Sequence, residues 1–313
     1  MSVHPDPHDA RARSGALAAA ACYFLWGLVP LYWKPLAGID PVELIAHRHV
    51  WSLVFLLILM WATQGGLQDL RSALQPARSL ALLFLSATLL TCNWLMYVWG
   101  VSQGHIIETS LGYFLVPLVN VAAGHFVLRE HLRPAQWLAI GIAATGVARM
   151  VIQTGRPPWI ALIIAGTWGA YGLLRKRSSV GAIPGLAVET LILSPLAVGY
   201  LLWQNHQGTG ALGRVNASTH VLILSAGIVT AIPLLLFAYA ARRVRLTTLG
   251  LLQYLAPSVQ LAIGVWFYHE PFSRSRVTSF AFIWAALILY TADNLLAHRT
   301  RTLTGIPGTP RTD

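Results

Sequence analysis

Ten stretches of this chain contain no Lys, Arg, Asp or Glu, and their lengths restrict the fold more than any other feature. They cover residues 14–33, 49–68, 79–107, 109–128, 134–148, 157–174, 190–213, 215–241, 246–269 and 277–292. Crossing about 30 Å of hydrocarbon takes roughly 20 apolar residues in a helix. The apolar runs are continuous rather than alternating, which favours helices over the strands of a membrane barrel. The sequence therefore predicts an all-α membrane protein with ten transmembrane helices.

The charged residues support this prediction by their number and their position. Only 11% of the residues are charged, whereas a soluble domain carries about 25%. The net charge of +11 suggests nucleic-acid binding, but the basic residues lie between apolar stretches and not on one face or tail. We therefore expect a lipid bilayer as the partner, and no nucleic acid.

The distribution of basic residues also predicts the topology. The predicted transmembrane spans 1 to 10 cover residues 14–33, 44–63, 80–101, 106–128, 135–153, 158–174, 185–203, 219–241, 246–268 and 274–296. With the N-terminus inside, most basic residues between spans fall on the cytoplasmic side, including those of segments 175–177 and 242–245. Both termini are then cytoplasmic, with residues 1–13 as an N-terminal segment and 297–313 as a disordered tail.

The second half of the chain repeats the first. Residues 105–130 match residues 245–270 at a spacing of 140, and a spacing of 142 aligns Trp26 and Gly27 with Trp168 and Gly169. The matches at 140 include Pro117 with Pro257, Val119 with Val259, Gly124 with Gly264 and Glu130 with Glu270. Spans 5 and 10 match poorly. Because each copy has five helices, the second enters the membrane upside down, as in secondary transporters. We expect two inverted five-helix repeats, 14–153 and 158–296; a duplication without alternating access is the alternative.

Several strings resemble one family. They are GALAAAACYFLWGLVPLYWK at residues 15–34, ELIAHR at 43–48 with Trp51 and Ser52, ETSLGYF at 108–114, YGLLRK at 171–176 and TLGLLQY at 248–254. Over roughly residues 14–296 the chain resembles the RarD branch of the EamA-type drug/metabolite transporters. The resemblance implies ten spans, two EamA repeats and a permease of the bacterial inner membrane, and it leaves the substrate open. The departures are His49, His125 and the extended tail.

Ionisable residues inside spans are the first candidates for function, because placing a charge near a helix centre is unfavourable by at least about 2.5 kcal/mol. Arg48 lies inside span 2 beside His47, and Glu108 begins span 4 near the same side of the membrane. An Arg48–Glu108 pair would serve as a gate, or Arg48 would hold a substrate carboxylate. An arginine that extends to the interface is the alternative.

Glu189 lies one turn inside span 7 and is the second candidate for gating or coupling. The expected partner is one of the arginines after span 8, namely Arg242, Arg243 or Arg245. An inner ion pair and a proton-coupling carboxylate are both consistent with this position, since burial raises the pKa of a carboxyl group.

Aromatic and amide side chains in matched repeat positions predict a substrate cavity. This set consists of Trp26, Asn93, Trp94, Tyr113, Asn120, Trp168, Gln253, Tyr254 and Gln260. Such residues suit a small, partly apolar solute; interhelical packing is the alternative. Pro117 and Pro257 predict symmetric hinges in spans 4 and 9, because proline removes a helical hydrogen bond.

The remaining motifs exclude some functions. The sequence has no GxxxxGK[ST] loop, no HExxH and no GxSxG, and Cys22 and Cys92 show no ligand spacing. We therefore expect no metal or cofactor, and a secondary permease, an exporter, that moves a small-molecule substrate by alternating access. Proton antiport, exchange and facilitated diffusion all fit, as do a monomer and a homodimer. The alternatives are a membrane-embedded enzyme and a channel or sensor.

Overall fold

The computed structural model describes residues 7–63, 66–75, 77–103, 105–154, 157–267 and 274–304, and its regular secondary structure there is entirely helical. This confirms the all-α prediction. The α-helices are α1 (Pro7–Trp33), α2 (Pro41–Ala62), α3 (Gly66–Leu74), α4 (Ala77–Ser102), α5 (Ile106–Ala122), α6 (Pro134–Thr154), α7 (Trp159–Arg177), α8 (Ala182–His206), α9 (Ala217–Ala241), α10 (Leu246–Leu252), α11 (Leu255–Ala262) and α12 (Arg274–Thr304).

Within these ranges, nine helical segments are long and apolar enough to cross a membrane, which makes the chain a multi-pass membrane protein. Helix α7 occupies predicted span 6 but is not among them, because Arg175, Lys176 and Arg177 form its last turn. Two helical regions extend beyond the predicted spans. The connection 64–79 contains the short helix α3, and α12 continues to Thr304, so part of the predicted tail is helical.

Local sequence explains where several helices begin. The Asp40 carboxylate accepts hydrogen bonds from the amides of Val42 and Glu43, at 2.9 and 3.0 Å, and Pro41 follows it as the first residue of α2. Asn216 caps α9 in the same way, by accepting from the Thr219 amide at 2.8 Å. These caps satisfy amides that have no partner inside their own helix.

The described helices form two compact units. The first contains α1 to α5 and α7 to α11, and its main contacts join helices from different halves of the chain. Helix α2 packs on α8 and α9, α5 packs on α7 and α10, α1 packs on α9 and α11, and α4 packs on α7 and α8. Its largest apolar core includes Tyr23, Leu56, Trp168 and Phe237.

The second unit is the pair α6 and α12, which correspond to the poorly matching spans 5 and 10. Arg133 donates to Asp293 Oδ2 at 2.7 Å and to Asn294 Oδ1 at 2.6 Å. Gln136 also donates to Asn294 Oδ1, at 3.2 Å. These bonds join one end of each helix.

Close contacts at glycines recur at the repeat spacing within the first unit. A Cβ at Gly27 of α1 would lie 2.5 Å from Val259 Cβ of α11. A Cβ at Gly169 of α7 would lie 2.5 Å from Val119 Cγ1 of α5. Because Gly27 matches Gly169 and Val119 matches Val259, the same contact is made twice.

The two helices that contain the repeated prolines differ in shape. Helix α5 continues through Pro117 and is followed by a π-helical segment, Ala123–Val127. In the second half, α10 ends at Leu252 and α11 begins at Leu255, so the helix is interrupted just before Pro257; a π-helical segment, Ile263–Phe267, follows. The π segments begin 140 residues apart, whereas the interruption occurs in one half. Glu270 lies outside the described residues, so its match with Glu130 has no structural counterpart here.

Candidate functional site

A cleft in the first unit lies between α2 and α4 from one half of the chain and α8 and α9 from the other. Most of its wall is apolar. Its polar and ionisable lining residues are Arg48, His49, Ser52, Thr91, Trp94, Glu189, Thr190 and Thr230. Of the residues predicted for gating, coupling or the cavity, Arg48, Trp94 and Glu189 therefore come together here.

Arg48 is buried at the wall of this cleft, with 4% of its surface exposed. Its guanidinium carbon lies 3.6 Å from the centroid of the Trp94 ring, in cation–π contact. The Nε and Nη1 atoms have no hydrogen-bond partner, and Arg48 forms no ion pair within the part of the chain that the structure describes. The guanidinium is thus packed against an aromatic face but not neutralised.

The predicted Arg48–Glu108 pair is not formed. Glu108 is buried, and its Oε1 accepts a hydrogen bond from the Ile160 amide at 2.9 Å. Ile160 is the second residue of α7, and Pro158 before it supplies no side-chain cap. Glu108 therefore caps the N-terminus of a neighbouring helix, where its negative charge is favourable.

Glu189 is buried in an ion pair, but its partner differs from the predicted arginines. Its Oε1 lies 3.4 Å from Arg175 Nη1 and accepts a hydrogen bond from Ser86, and Tyr171 donates to its Oε2 at 3.3 Å. Arg175 was assigned to the cytoplasmic connection, yet it is 1% exposed. It turns inward because Gly185 of α8 has no side chain, and a Cβ there would overlap the guanidinium.

The predicted arginine partners lie after α9, and two of them, Arg242 and Arg243, contact other groups. Arg242 donates to the Ser179 carbonyl at 3.3 Å, and the Arg243 guanidinium carbon lies 3.3 Å from the Tyr239 ring centroid. Burial, and then the positive charges of Arg175, Arg243 and Arg11, lowers the pKa of Arg242. Basic side chains from the start of α1 and the ends of α7 and α9 therefore lie near one another.

His47 is buried away from the cleft lining, beside Glu43. Its Nε2 lies 3.6 Å from Glu43 Oε1, which also accepts a hydrogen bond from the Ala211 amide at 2.6 Å. Glu43 thereby attaches the connection before α9 to the start of α2. Neighbouring residues on a helix point about 100° apart, so Arg48 faces the cleft while His47 faces this connection.

Most of the predicted cavity set joins helices and does not line this cleft. The rings of Trp26 and Trp168 lie 5.1 Å apart, and both pack on Phe237. Asn93 donates to the Ile164 carbonyl at 2.8 Å and so joins α4 to α7. Interhelical packing, the alternative from the sequence, describes these contacts.

The predicted residues of α5, of α11 and of the interruption between α10 and α11 make similar contacts between helices. Asn120 donates to Gln253 Oε1 at 3.4 Å, and Tyr254 Oη donates to the Phe114 carbonyl at 3.2 Å. Gln260 donates to the Trp26 carbonyl at 3.2 Å. Tyr113 packs on Tyr97, with ring centroids 5.7 Å apart.

Several hydroxyl residues of the cleft were not predicted from the sequence. Thr91 and Thr230 both line it, and they are equivalent at a spacing of 139. Thr190 also lines it and is equivalent to Arg48 at a spacing of 142. The repeat alignment contained this signal, since a cavity shared by two repeats is lined by matching positions of both.

Comparisons with known proteins show the family to which the chain is related. The EamA-like transporter family matches the chain twice, at residues 13–152 and 157–292. Protein RarD of Streptomyces exfoliatus is 43% identical over 292 residues, which cover 92% of each chain. The uncharacterized transporter YojE of Bacillus subtilis is 42% identical and covers 90% of this chain and 95% of its own.

One further relative in sequence and one protein of known structure are each similar to most of this chain. Protein RarD of Escherichia coli is 38% identical and covers 92% of this chain and 97% of its own. A protein of known crystal structure superposes with a TM-score of 0.70, covers 89% of this chain and 98% of its own, and is 21% identical. At that identity, the superposition shows the fold alone.

Proposed function

This chain belongs to the RarD branch of the EamA-like transporter family and is a membrane transporter, and we propose that it carries a small solute by alternating access. The cleft between α2, α4, α8 and α9 is the proposed binding site. One observation carries this proposal: the cleft is built from two helices of each half and contains the buried guanidinium of Arg48. Any change in the relative position of the halves alters such a site directly.

The proposed architecture is ten transmembrane helices in two inverted repeats, with α7 as the tenth. The contacts inside the first unit support it, because they are preserved when the halves are exchanged. In the proposed repeats, α1, α2, α4 and α5 are equivalent to α7, α8, α9 and the α10–α11 pair. The contact of α5 with α7 therefore corresponds to that of α11 with α1, and the contact of α2 with α9 corresponds to that of α8 with α4. All four pairs are in contact. The doubled Gly–Val contact has the same symmetry.

The difference between α5 and the interrupted α10–α11 pair supports alternating access. In an inverted-repeat carrier, the two halves adopt different conformations in one state and exchange them in the other. We propose that the interruption before Pro257 is lost when a corresponding one forms before Pro117. The π segments after both prolines place irregular hydrogen bonding next to each proposed hinge.

We propose that both termini face the cytoplasm of a bacterial inner membrane. Arg11, Arg175, Arg242 and Arg243 are near one another, and Lys176 donates to the Val244 carbonyl. Their common position at one end of the first unit fits the positive-inside rule. We propose export as the direction of transport.

Counterflow in proteoliposomes tests the proposed function. Sealed vesicles that contain the purified protein are preloaded with a candidate amino acid, aromatic metabolite or chloramphenicol, and the same labelled solute is added outside. A carrier gives transient accumulation of label, because the excess unlabelled solute inside competes for the same binding site and slows the exit of labelled solute that has entered. A channel gives equilibration without accumulation, and an enzyme forms product in detergent; either result contradicts the proposal.

A further inference from the structure

The charges at the cleft do not balance. Glu189 lines the cleft, but its charge is offset by Arg175, which lies 3.4 Å away. Arg48 lines the same cleft and has no such partner in the described residues. An isolated buried charge inside a membrane protein is strongly unfavourable. The cleft is therefore left with one uncompensated positive charge, which an anion would neutralise.

The surroundings of Arg48 restrict what that anion looks like. Trp94 covers one face of the guanidinium at 3.6 Å, while Nε and Nη1 remain without partners. A guanidinium flanked by an aromatic face offers planar N–H donors to two oxygens of a carboxylate. The apolar wall nearby includes Leu90 and Leu234. An apolar group attached to the carboxylate would pack there.

Resting on the proposed function, we propose that the substrate is a monocarboxylate with a small apolar body and no ammonium group. Arg48 binds the carboxylate, and Trp94 and the leucines contact the body. Glu189 already accepts hydrogen bonds from Ser86, Tyr171 and Arg175, so it offers little to a ligand ammonium group. The other unpartnered ionisable group of the described lining is His49, whose Nε2 has no hydrogen-bond partner. An imidazole is mostly uncharged at pH 7, so a second negative charge on the ligand would not be neutralised.

Three compounds with one apolar body test this charge selection. N-acetyl-L-phenylalanine is a monoanion, N-acetyl-L-phenylalaninamide is neutral, and L-phenylalanine is a zwitterion. Binding of each to the whole protein in lipid nanodiscs is measured by calorimetry. We expect the anion to bind about tenfold more tightly than either of the others, as a charge-assisted hydrogen bond implies.

Variants of Arg48 link the selection to this side chain. Arg48→Gln should remove the preference for the anion, and Arg48→Lys should retain part of it, because lysine keeps the charge but not the planar fork. Arg214, which is exposed after α8, provides the matched control, and Arg214→Gln should leave the preference unchanged. Correctly folded Arg48→Gln is verified by an unchanged elution volume and helical circular dichroism.

The outcomes separate the charge selection from transport. Equal binding of the three compounds, no binding of any, or a preference that survives Arg48→Gln would overturn the anion proposal. Counterflow of a neutral solute that is unaffected by Arg48→Gln would also overturn it and leave the transporter intact. Selective anion binding without counterflow would support the site and contradict the transport proposal.

Discussion

The hydroxyl of Tyr254 donates a hydrogen bond to the carbonyl of Phe114, the residue that occupies the equivalent position in the other repeat, 140 residues earlier. The bond is 3.2 Å long and both residues are buried. Residues related by an internal two-fold axis meet only where that axis passes close to them. Tyr254 and Phe114 therefore mark the region where the proposed repeats contact each other through equivalent helices.

Replacing Tyr254 by Phe should weaken this contact without opening a cavity. The ring remains, but the Phe114 carbonyl loses one donor, so we expect a loss of about 1 kcal/mol in the free energy of unfolding. The midpoint temperature of unfolding in detergent is the measurement. Tyr200→Phe is the control, since Tyr200 lies at a solvent-exposed contact near the end of α8. An equal shift in both variants would contradict a special role of the Tyr254 bond.

The two Gly–Val contacts predict that shortening the valine restores stability only when its own glycine partner has been replaced. Gly27→Ala should lower the unfolding temperature because its Cβ would overlap Val259, and Val259→Ala should restore part of the loss. Gly169→Ala should behave in the same way with Val119→Ala. Overpacking of this kind is unfavourable by about 1–3 kcal/mol.

The exchanged combinations control for a general effect of removing valine. Gly27→Ala with Val119→Ala, and Gly169→Ala with Val259→Ala, should show additive losses, because neither valine touches the other glycine in the described contacts. Rescue by the exchanged valines would show that the two contacts are not independent copies.

The all-helical membrane fold could be predicted from the sequence, because the lengths of the uncharged stretches are a property of the chain alone. The α3 helix could not, since it lies in a polar connection that hydropathy assigns to no span. The interruption at Gln253 and Tyr254 was only half predicted. Pro257 signals a weak point, but Pro117 gives the same signal in a helix that continues.

The site was partly predictable for a similar reason. Arg48 and Glu189 stand out because charges in apolar spans are rare, and both reach the cleft. The predicted partners of these two residues were wrong. The position of a residue along a span indicates its depth in the membrane, but not the direction in which its side chain points. Arg175 turns inward through space left by Gly185, which only packing shows. Asn93 and Asn120 were assigned to the cavity by polarity, and their amides are used between helices.

The approach of α2 to α9 predicts a strong effect of a single methyl group. A Cβ at Gly227 would overlap backbone atoms of Trp51 and Ser52, which cannot move aside as a side chain can. Gly227→Ala should therefore destabilise the protein by about 3 kcal/mol or more, at the upper end for overpacking, as measured by thermal unfolding in detergent. Gly199→Ala is the control, because nothing lies within 4 Å of its Cβ position. A neutral Gly227→Ala would contradict this helix contact.

The Glu189–Arg175 pair predicts that removing one charge is worse than removing both. Glu189→Gln leaves Arg175 buried without a counter-charge, which should lower stability by roughly 3–5 kcal/mol. The double variant Glu189→Gln with Arg175→Met removes the charge together with its partner and should recover much of that loss, since an apolar side chain of similar size needs no desolvation compensation. Thermal unfolding of the two variants and of Arg175→Met completes the cycle.

The same three variants distinguish a structural pair from a coupling carboxylate. If Glu189 exchanges protons during transport, the double variant regains stability but loses the pH dependence of counterflow. If the pair only fixes α7 against α8, stability and counterflow return together with their pH dependence. Arg175 also donates to the carbonyls of Gly181 and Ala182 at 3.4 Å. It therefore binds both the Glu189 side chain and the backbone at the start of α8. We therefore expect the structural outcome, and a stable double variant whose counterflow no longer depends on pH would show that the carboxylate itself exchanges protons.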